Sequence, residues 1–286
     1  MKLKLAQRIA IRYYKTKIKT IGLLSKRKAA EKAFVLFCTP YSGKPKRKAP
    51  AIFHHAEKLS IQINNLTIRG WQWQPEKNNG KNILIVHGFD SCSYKFDKYI
   101  RLFLYEGYTV KAFDATGHGI SDGKTANALM LKDTIVAIEK KYGNITHLMA
   151  HSMGGIAAAL ATEELTHIEK LVLIAPATET PRAIDNFFKF VPLGDSIKEA
   201  MFEYIIELAQ QPLSYFSVVR SVQQHTTSTL WIHDETDWIC PYEDVLPAQQ
   251  LHLQHVEFYI TKGLGHSKIY RDAKVTKKII DFMNVK

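Results

Sequence analysis

One short segment constrains the fold of this chain more than any other. The apolar residues 145–149 lead into Ala150-His151-Ser152-Met153-Gly154-Gly155, and small apolar residues follow over 156–160. This order predicts a strand, a tight turn that exposes Ser152, and a helix that begins directly after the turn. The unpaired amides at the start of such a helix favour nearby negative charge. Because a serine hydroxyl is a poor nucleophile without a base, the segment indicates catalysis only if a histidine and an acid accompany it.

An acid and a histidine do follow, each after a predicted strand. The apolar residues 230–233 precede Asp237, and residues 256–260 precede Gly263-Leu264-Gly265-His266. The chain order is therefore serine, acid, histidine, which differs from the orders in chymotrypsin and subtilisin. Three further acids near Asp237 are alternatives for its role: Asp234, Glu235 and Asp244.

The pattern around these segments predicts an α/β fold. Residues 60–73 alternate with period two about Asn64-Asn65 and predict a β-hairpin. Apolar runs at 83–86, 109–113 and 170–174 alternate with helical patterns. This alternation is typical of a mostly parallel central sheet with right-handed crossovers and helices on both faces.

Four motifs in order resemble those of the α/β-hydrolase superfamily, specifically its serine esterase and monoacylglycerol lipase-like branch. They are the Val86-His87-Gly88-Phe89 loop, residues 114–123 (DATGHGISDG), the serine turn, and the D-x-x-x-P and G-x-G-H segments that carry Asp237 and His266. The resemblance covers roughly residues 55–285. It implies the α/β-hydrolase fold and ester hydrolysis.

The chain departs from the family pattern at three positions. Ala150 begins the serine turn where the family usually has Gly, as in some bacterial lipases. Thr116 stands where lipase-like members usually have Arg, and Asp234 follows His233 where Gly is usual. The last two departures bear on the substrate class and leave the nucleophile unchanged.

The resemblance also implies the roles of individual residues. Ser152 would be the nucleophile, His266 the general base and Asp237 the residue that orients it, with the backbone N–H groups of Phe89 and Met153 as the oxyanion hole. The predicted substrate pocket comprises His87, Gly88, His151, Phe187, Phe188 and Trp238. We predict no cofactor and no metal site, because no cluster has metal-ligand spacing and the glycines of the turn do not form a phosphate loop.

Between residues 177 and 228 the strand–helix alternation stops, and aromatic residues recur at helical spacing. In the family this position holds a cap over the site, and an aromatic helical insertion there would exclude water from a ligand crevice. The alternative is that these residues are additional core packing.

The charge of the chain is concentrated at its start. The net charge is +12, and residues 1–50 hold 15 Lys or Arg and the single acid Glu31, a net of +14, so the remainder carries −2. We therefore predict a basic N-terminal extension over 1–50, ending in a linker over 41–50, and a hydrolase domain over 51–286.

The extension has the pattern of a basic amphipathic helix. At helical spacing one face carries Lys4, Arg8, Arg12, Lys15 and Lys19, and the other carries Leu3, Ala10, Tyr14, Ile18 and Ile21. Such a helix can contact an anionic membrane surface, here through residues 1–24. The alternatives are a helix packed on the body, a disordered arm, or a nucleic-acid contact, for which no binding motif accompanies the charge.

Other features indicate the compartment. Cys38, Cys92 and Cys240 are too few for a disulfide framework, which suits a reducing environment. We find no secretory signal and no apolar run of the length that spans a bilayer. The sequence predicts a cytoplasmic protein, peripheral at the inner membrane surface if the basic helix binds lipid.

Together these observations predict a serine hydrolase that cleaves a small-molecule carboxylic ester through an acyl-enzyme on Ser152. The alternatives within catalysis are an acyltransferase, a thioesterase or a cofactor-free peroxidase with the same triad. A non-catalytic binding protein on the same fold is the alternative from another class.

Overall fold

The computed structural model describes residues 5–41 and 48–285. The described chain forms two compact units. One, here called the helical unit, combines the residues up to Thr39 with Glu179–Phe216. The other, the sheet unit, comprises the described parts of Pro40–Thr178 and the chain from Ser217 onward.

The sheet unit is built on an eight-stranded sheet with the order β1-β2-β4-β3-β5-β6-β7-β8. Strands β1 and β2 form an antiparallel hairpin, β2 pairs antiparallel with β4, and every later pairing is parallel. The strands are Glu57–Ile63, Leu66–Trp73, Asn82–Val86, Thr109–Phe113, His147–His151, Lys170–Ile174, Ser228–Asp234 and Val256–Thr261. The predicted hairpin turns at Asn64 and Asn65, whose φ angles of 47° and 62° suit a tight two-residue turn.

Helices cover both faces of this sheet, as predicted. The helices of the sheet unit are α3 (Asp97–Tyr105), α4 (Ala128–Tyr142), α5 (Met153–Glu164), α8 (Val218–Ser221), α9 (Leu246–Gln250), α10 (Gly265–Lys268) and α11 (Ala273–Asn284). Alternate strand residues point to opposite faces, so Ile83 and Ile85 join a core with α3 and α11, whereas Leu84 and Val86 lie against α4.

The helical unit joins two segments that are far apart in the sequence. It contains α1 (Leu5–Leu24), α2 (Lys26–Phe37), α6 (Thr180–Phe190) and α7 (Asp195–Ala209). Helix α2 packs on α7 and on α1, and its buried face is formed mainly by three alanines, Ala29, Ala30 and Ala33. Small side chains let two helices approach closely, which suits this face to contact with α7.

Side chains at the edges of the α2–α7 contact fix how the helices pair. The Phe34 and Tyr204 rings meet edge to face at 5.5 Å, and the Arg27 guanidinium lies 4.7 Å from the Tyr204 ring centre. Arg27 also forms an ion pair with Glu207 at 2.5 Å. Part of the basic N-terminal segment thus folds together with part of the predicted cap insertion.

Two further predictions from the sequence concern the N-terminal extension and membrane-spanning helices. Residues 42–47 of the predicted linker, and Leu3 and Lys4 of the predicted basic helix, lie outside the described residues. Among the described helices, none is both long enough and apolar enough to cross a membrane.

Candidate active site

Ser152 lies at the junction of β5 and α5 in a strained backbone conformation, with φ 57° and ψ −124°. Its amide donates to the carbonyl of Ile174 on the neighbouring strand at 3.1 Å. Its carbonyl accepts from Gly155 N at 2.8 Å and from Ala177 N at 3.0 Å. These bonds hold the turn in place, and such a turn presents the serine side chain at the end of the sheet.

Small residues are required around this turn because other chain segments approach closely. A Cβ on Gly154 would lie 2.6 Å from the carbonyl oxygen of His87, and one on Gly155 would lie 2.6 Å from the Pro176 Cβ. Ala150 is different, because it belongs to the regular strand β5 and tolerates a Cβ. The departure from Gly at that position therefore leaves the turn intact.

His266 joins Ser152 to Asp237 through two hydrogen bonds. His266 Nε2 lies 3.0 Å from Ser152 Oγ, and His266 Nδ1 lies 2.7 Å from Asp237 Oδ2. The other carboxylate oxygen of Asp237 accepts from the amides of Ile239 and Cys240 at 2.9 and 3.0 Å. All three side chains are buried. The structure thus brings the three predicted residues together in one chain of hydrogen bonds.

The neighbouring acids have other partners. Asp234 accepts hydrogen bonds from Thr236 and Thr261, and Glu235 pairs with Lys262 at 3.0 Å. Among the described residues, Asp237 is the carboxylate that contacts the His266 ring.

One predicted oxyanion donor follows Ser152 in the chain, and the other follows Gly88. Met153 is the first residue of α5, so its amide has no acceptor within the helix. A Cβ on Gly88 would lie 2.7 Å from the Ser152 Cβ, so the backbone that precedes Phe89 passes directly against Ser152. Only glycine allows this approach. The donor roles themselves stay predictions.

Two buried histidines hold the loop that contains Gly88. His87 Nδ1 donates to the Gly88 carbonyl at 2.7 Å, and its Nε2 accepts from Ala115 N at 2.9 Å. His118 Nε2 accepts from Asp90 N at 2.9 Å. Burial lowers the pKa of both rings to about 4, so each is a neutral imidazole at pH 7. These rings connect loops and are not placed to exchange protons with Ser152.

The comparisons with known proteins show which proteins this chain is similar to. A family model described as serine aminopeptidase, S33, matches residues 77–212, which include Ser152 and the Gly88 loop. A Mycoplasma pneumoniae protein named "Putative esterase/lipase 2" is 24% identical over 229 residues, covering 68% of this chain and 85% of that protein.

Solved structures share the fold along most of the chain. An esterase of Pyrococcus furiosus superposes with a TM-score of 0.63 at 18% identity, covering 84% of this chain and 98% of the esterase. Est1E of Butyrivibrio proteoclasticus, solved with ferulic acid bound, superposes with a TM-score of 0.63 at 20% identity, covering 79% of this chain and 97% of Est1E. This chain has the α/β-hydrolase fold.

Within this fold, His151 contacts the predicted base. Its ring lies 4.8 Å from the rings of both His266 and Tyr270, and its Nε2 donates to the His266 carbonyl at 3.1 Å. Burial lowers the pKa of His151 to about 3, so the ring is neutral. The sequence predicted His151 as pocket lining, and the structure adds a contact that fixes the backbone of His266.

Two neighbours of the site have no counterpart in the sequence analysis. The Cys240 side chain lies beside Ser152, and burial raises the pKa of its thiol well above the usual value, so the thiol stays protonated. Asp114 is buried and accepts from Ser93 N and Ile120 N at 2.8 and 2.9 Å, bracing the loops near Gly88. Its position at the start of the 114–123 motif was the available signal.

The other predicted pocket residues lie in different surroundings. Trp238 follows Asp237 and is 60% exposed. Phe187 and Phe188 belong to α6 of the helical unit, where the Phe187 ring meets those of Phe37 and Phe188 at 5.5 Å. Their roles toward a substrate stay predictions.

Proposed function

We propose that this chain is a serine hydrolase of the α/β-hydrolase superfamily that cleaves carboxylic esters of small molecules through an acyl-enzyme on Ser152. The observation that carries the proposal is the unbroken chain of hydrogen bonds from Asp237 through His266 to Ser152. The strained turn that holds the serine is the second support.

In the first half of the reaction, Ser152 Oγ attacks the ester carbonyl carbon while His266 Nε2 takes the serine proton. The carbonyl oxygen becomes an oxyanion, which accepts hydrogen bonds from the N–H groups of Phe89 and Met153. The tetrahedral intermediate then breaks the bond to the alcohol oxygen. His266 gives its proton to that oxygen, and the alcohol leaves.

In the second half, water replaces the alcohol. His266 takes a proton from the water as its oxygen attacks the acyl carbon, and the proton returns to Ser152 Oγ when the carboxylic acid leaves. The hydrogen bond from His266 Nδ1–H to Asp237 selects the tautomer with a free Nε2 lone pair and stabilises the imidazolium that forms.

The choice of an ester rests on the relatives, which include a protein named as an esterase or lipase and solved esterases. The S33 family description names a serine aminopeptidase, whose substrate is an amide with a free amino group. A matched pair of chromogenic substrates, an acyl p-nitrophenyl ester and an aminoacyl p-nitroanilide, distinguishes the two bond types.

The test is fluorophosphonate labelling together with turnover of p-nitrophenyl esters of increasing chain length. We expect Ser152→Ala to abolish labelling and to lower ester turnover by about 10⁴- to 10⁶-fold, as removal of a nucleophile does elsewhere. Ser267→Ala, an exposed serine beside His266, is the matched control and should behave as wild type. Undiminished labelling of Ser152→Ala would refute the proposal.

A further inference from the structure

Helix α1 exposes apolar side chains on the face that does not pack. Ile18 is 2% exposed and lies on the packed face, which is the apolar face identified from the sequence. At about 100° per residue, four other apolar residues fall within one sector on the opposite side. This apolar stripe consists of Ile9 (61% exposed), Tyr13 (58%), Leu23 (84%) and Leu24 (91%).

Basic residues border the apolar stripe on both sides. Arg8, Arg12 and Lys19 project on one side at helical spacing, and Lys17 projects on the other, with its Nζ 5.6 Å from the Tyr13 ring centre. Helix α1 contains no Asp or Glu. No ion pair joins these four bases to a carboxylate within the part of the chain that the structure describes.

We propose that the apolar stripe of α1 docks on an anionic lipid surface. A helix that lies in a membrane interface needs an apolar strip a few ångströms deep and basic side chains beside it, whose stems reach up to the phosphate level. Anionic lipids attract the flanking bases. A nucleic acid would satisfy the charges but would leave Ile9, Leu23 and Leu24 in water, so the stripe favours lipid.

The test is co-sedimentation of the full chain with vesicles of phosphatidylcholine alone, or of phosphatidylcholine and phosphatidylglycerol in equal parts. We expect binding to the anionic vesicles and little binding to the neutral ones. Two double variants separate the contribution of the apolar stripe from that of the flanking bases. They are Leu23→Ser with Leu24→Ser, and Arg12→Gln with Lys19→Gln. Each double variant should weaken binding to the anionic vesicles at least tenfold, since one basic residue near an anionic surface raises the affinity about fivefold.

Point substitutions are preferable to deletion of α1 and α2, because deletion would remove the helix that packs on α7. The matched controls are Tyr105→Ser, which is 88% exposed, and Lys58→Gln with Lys274→Gln, all on the sheet unit. The controls should bind as wild type. Equal binding by wild type and both α1 double variants, or binding to duplex DNA in place of anionic vesicles, would overturn the proposal. Turnover of a soluble p-nitrophenyl ester should be unchanged in every variant.

An independent observation concerns Asp234, the last residue of β7, whose side chain is fully buried. Its Oδ1 accepts from the amide and hydroxyl of Thr236 at 2.9 and 2.5 Å. Its Oδ2 accepts from the Thr261 hydroxyl at 2.7 Å and from Leu264 N at 3.0 Å. Burial alone would raise the pKa of this carboxyl, but these hydrogen bonds outweigh burial and lower it, so Asp234 is ionised at neutral pH.

The partners of Asp234 lie on both loops that carry the triad. Thr236 immediately precedes Asp237, and Leu264 lies two residues before His266. One carboxylate thus connects the loop of the acid to the loop of the base. The geometry assigns Asp234 as a positioning residue for the Asp237–His266 pair, an assignment that rests on the proposed function.

The test compares Asp234→Asn with wild type in kcat, KM and the rate of fluorophosphonate labelling. Asparagine keeps the size of the side chain but replaces one acceptor oxygen with an N–H₂ group. This group would face hydrogen-bond donors on one of the two loops, so His266 should lose its alignment with Ser152 and Asp237. We expect kcat and the labelling rate to fall together by about 10- to 100-fold with KM little changed, because the loss lies in the chemical step. Trp231→Phe, a buried change in the same strand, is the control for general destabilisation and should leave kcat unchanged.

Thr261→Val provides a second variant that removes a single hydrogen bond to Asp234, with a smaller expected loss of about threefold to tenfold in kcat. If wild type labels and both variants label at the wild-type rate when folded, the positioning role is wrong. If wild type itself does not label, the proposed function fails first, so the two failures are distinguishable.

Discussion

Ser152 occupies a backbone conformation that costs about 1–3 kcal/mol for a residue other than glycine. The structure retains it because the bond from Ser152 N to the Ile174 carbonyl, and the bond from Ala177 N to the Ser152 carbonyl, fix both sides of the peptide. The strain therefore depends on β6 and the segment after it, and changes there should disturb the nucleophile without touching it.

Gly88 gives a direct test of the approach between the loop after β3 and the serine. In Gly88→Ala the new Cβ would lie 2.7 Å from the Ser152 Cβ and 3.0 Å from the His151 carbonyl, so the loop must move away. We expect kcat/KM for a p-nitrophenyl ester to fall by about 10²- to 10³-fold, the loss typical of a misplaced oxyanion donor.

Gly80→Ala is the control for this prediction. Gly80 has a positive φ of 82°, unlike Gly88, and a Cβ there meets nothing within 4 Å. This variant should lose about 1 kcal/mol of stability and keep its activity. Wild-type activity in Gly88→Ala would show that the loop tolerates displacement and would contradict the argument.

Sequence reasoning found Ser152, Asp237 and His266 because each follows a predicted strand, and in a parallel sheet those strands end at the same edge. It could not predict the hydrogen bonds of Asp234. The reason is physical: the hydrogen bonds of Asp234 join residues 27 and 30 positions away, and no local pattern specifies which buried group such a carboxylate will meet. The position of Cys240 beside Ser152 could not be predicted for the same reason.

At the scale of elements, the pairing of α2 with α7 turns a basic segment into part of a folded unit. The buried face of α2 consists largely of alanines, which supply little apolar area but allow close contact. The stability of the pair must therefore come from close packing along the whole contact, together with the Phe34–Tyr204 ring contact at its edge.

Ala33→Glu tests this contact. Ala33 is fully buried, so the variant would place a carboxylate without a partner between the helices, and we expect a loss of about 3 kcal/mol in the free energy of unfolding of the helical unit. Lys32→Ala, on the exposed side of the same turn, should change stability by less than about 0.5 kcal/mol. Urea titration followed by circular dichroism measures both, and equal stabilities would disprove the packing argument.

The elements of the sheet unit were predictable from the sequence, whereas the helical unit was predictable only as separate helices. Period-two and apolar patterns gave the hairpin and the parallel strands, because a strand in this fold is recognised by its own residues. A helical pattern in contrast shows that a helix has an apolar face and says nothing about which helix covers it. Residues 26–37 pack on residues 195–209, and no local sequence pattern indicates this long-range contact.

At the scale of the whole molecule, buried neutral histidines make stability depend on pH. Burial lowers the pKa of His87, His118 and His225 from 6.5 to about 4, so as pH falls the unfolded chain binds protons before the folded chain does. Their stabilisation is fully present above pH 6.5 and is lost as pH falls toward 4. Urea titrations at several pH values in this window should show a steady decrease, and a constant or rising stability would contradict the prediction.

His225→Phe isolates one of these contributions away from the active site. Both ring nitrogens of His225 are buried and have no hydrogen-bond partner among the described residues, and nearby His255 adds to the effect of burial. The variant should be at least as stable as wild type at pH 7. As pH falls from 6.5 to 4, the free energy of unfolding of the variant should decrease by about 2 kcal/mol less than that of wild type. This figure allows for solvent screening of a half-buried ring.

The two-segment construction of the helical unit also has a consequence during protein synthesis. Helices α1 and α2 are complete by Thr39, but their partner α7 begins only at Asp195. At typical elongation rates of about 5–20 residues per second, the ribosome needs on the order of 10–30 s to add the residues between them. Throughout that interval the part of α2 that packs on α7 lacks its native partner, so a binder of exposed apolar helices, or an anionic bilayer near the ribosome, would meet α1 and α2 before the sheet unit is complete.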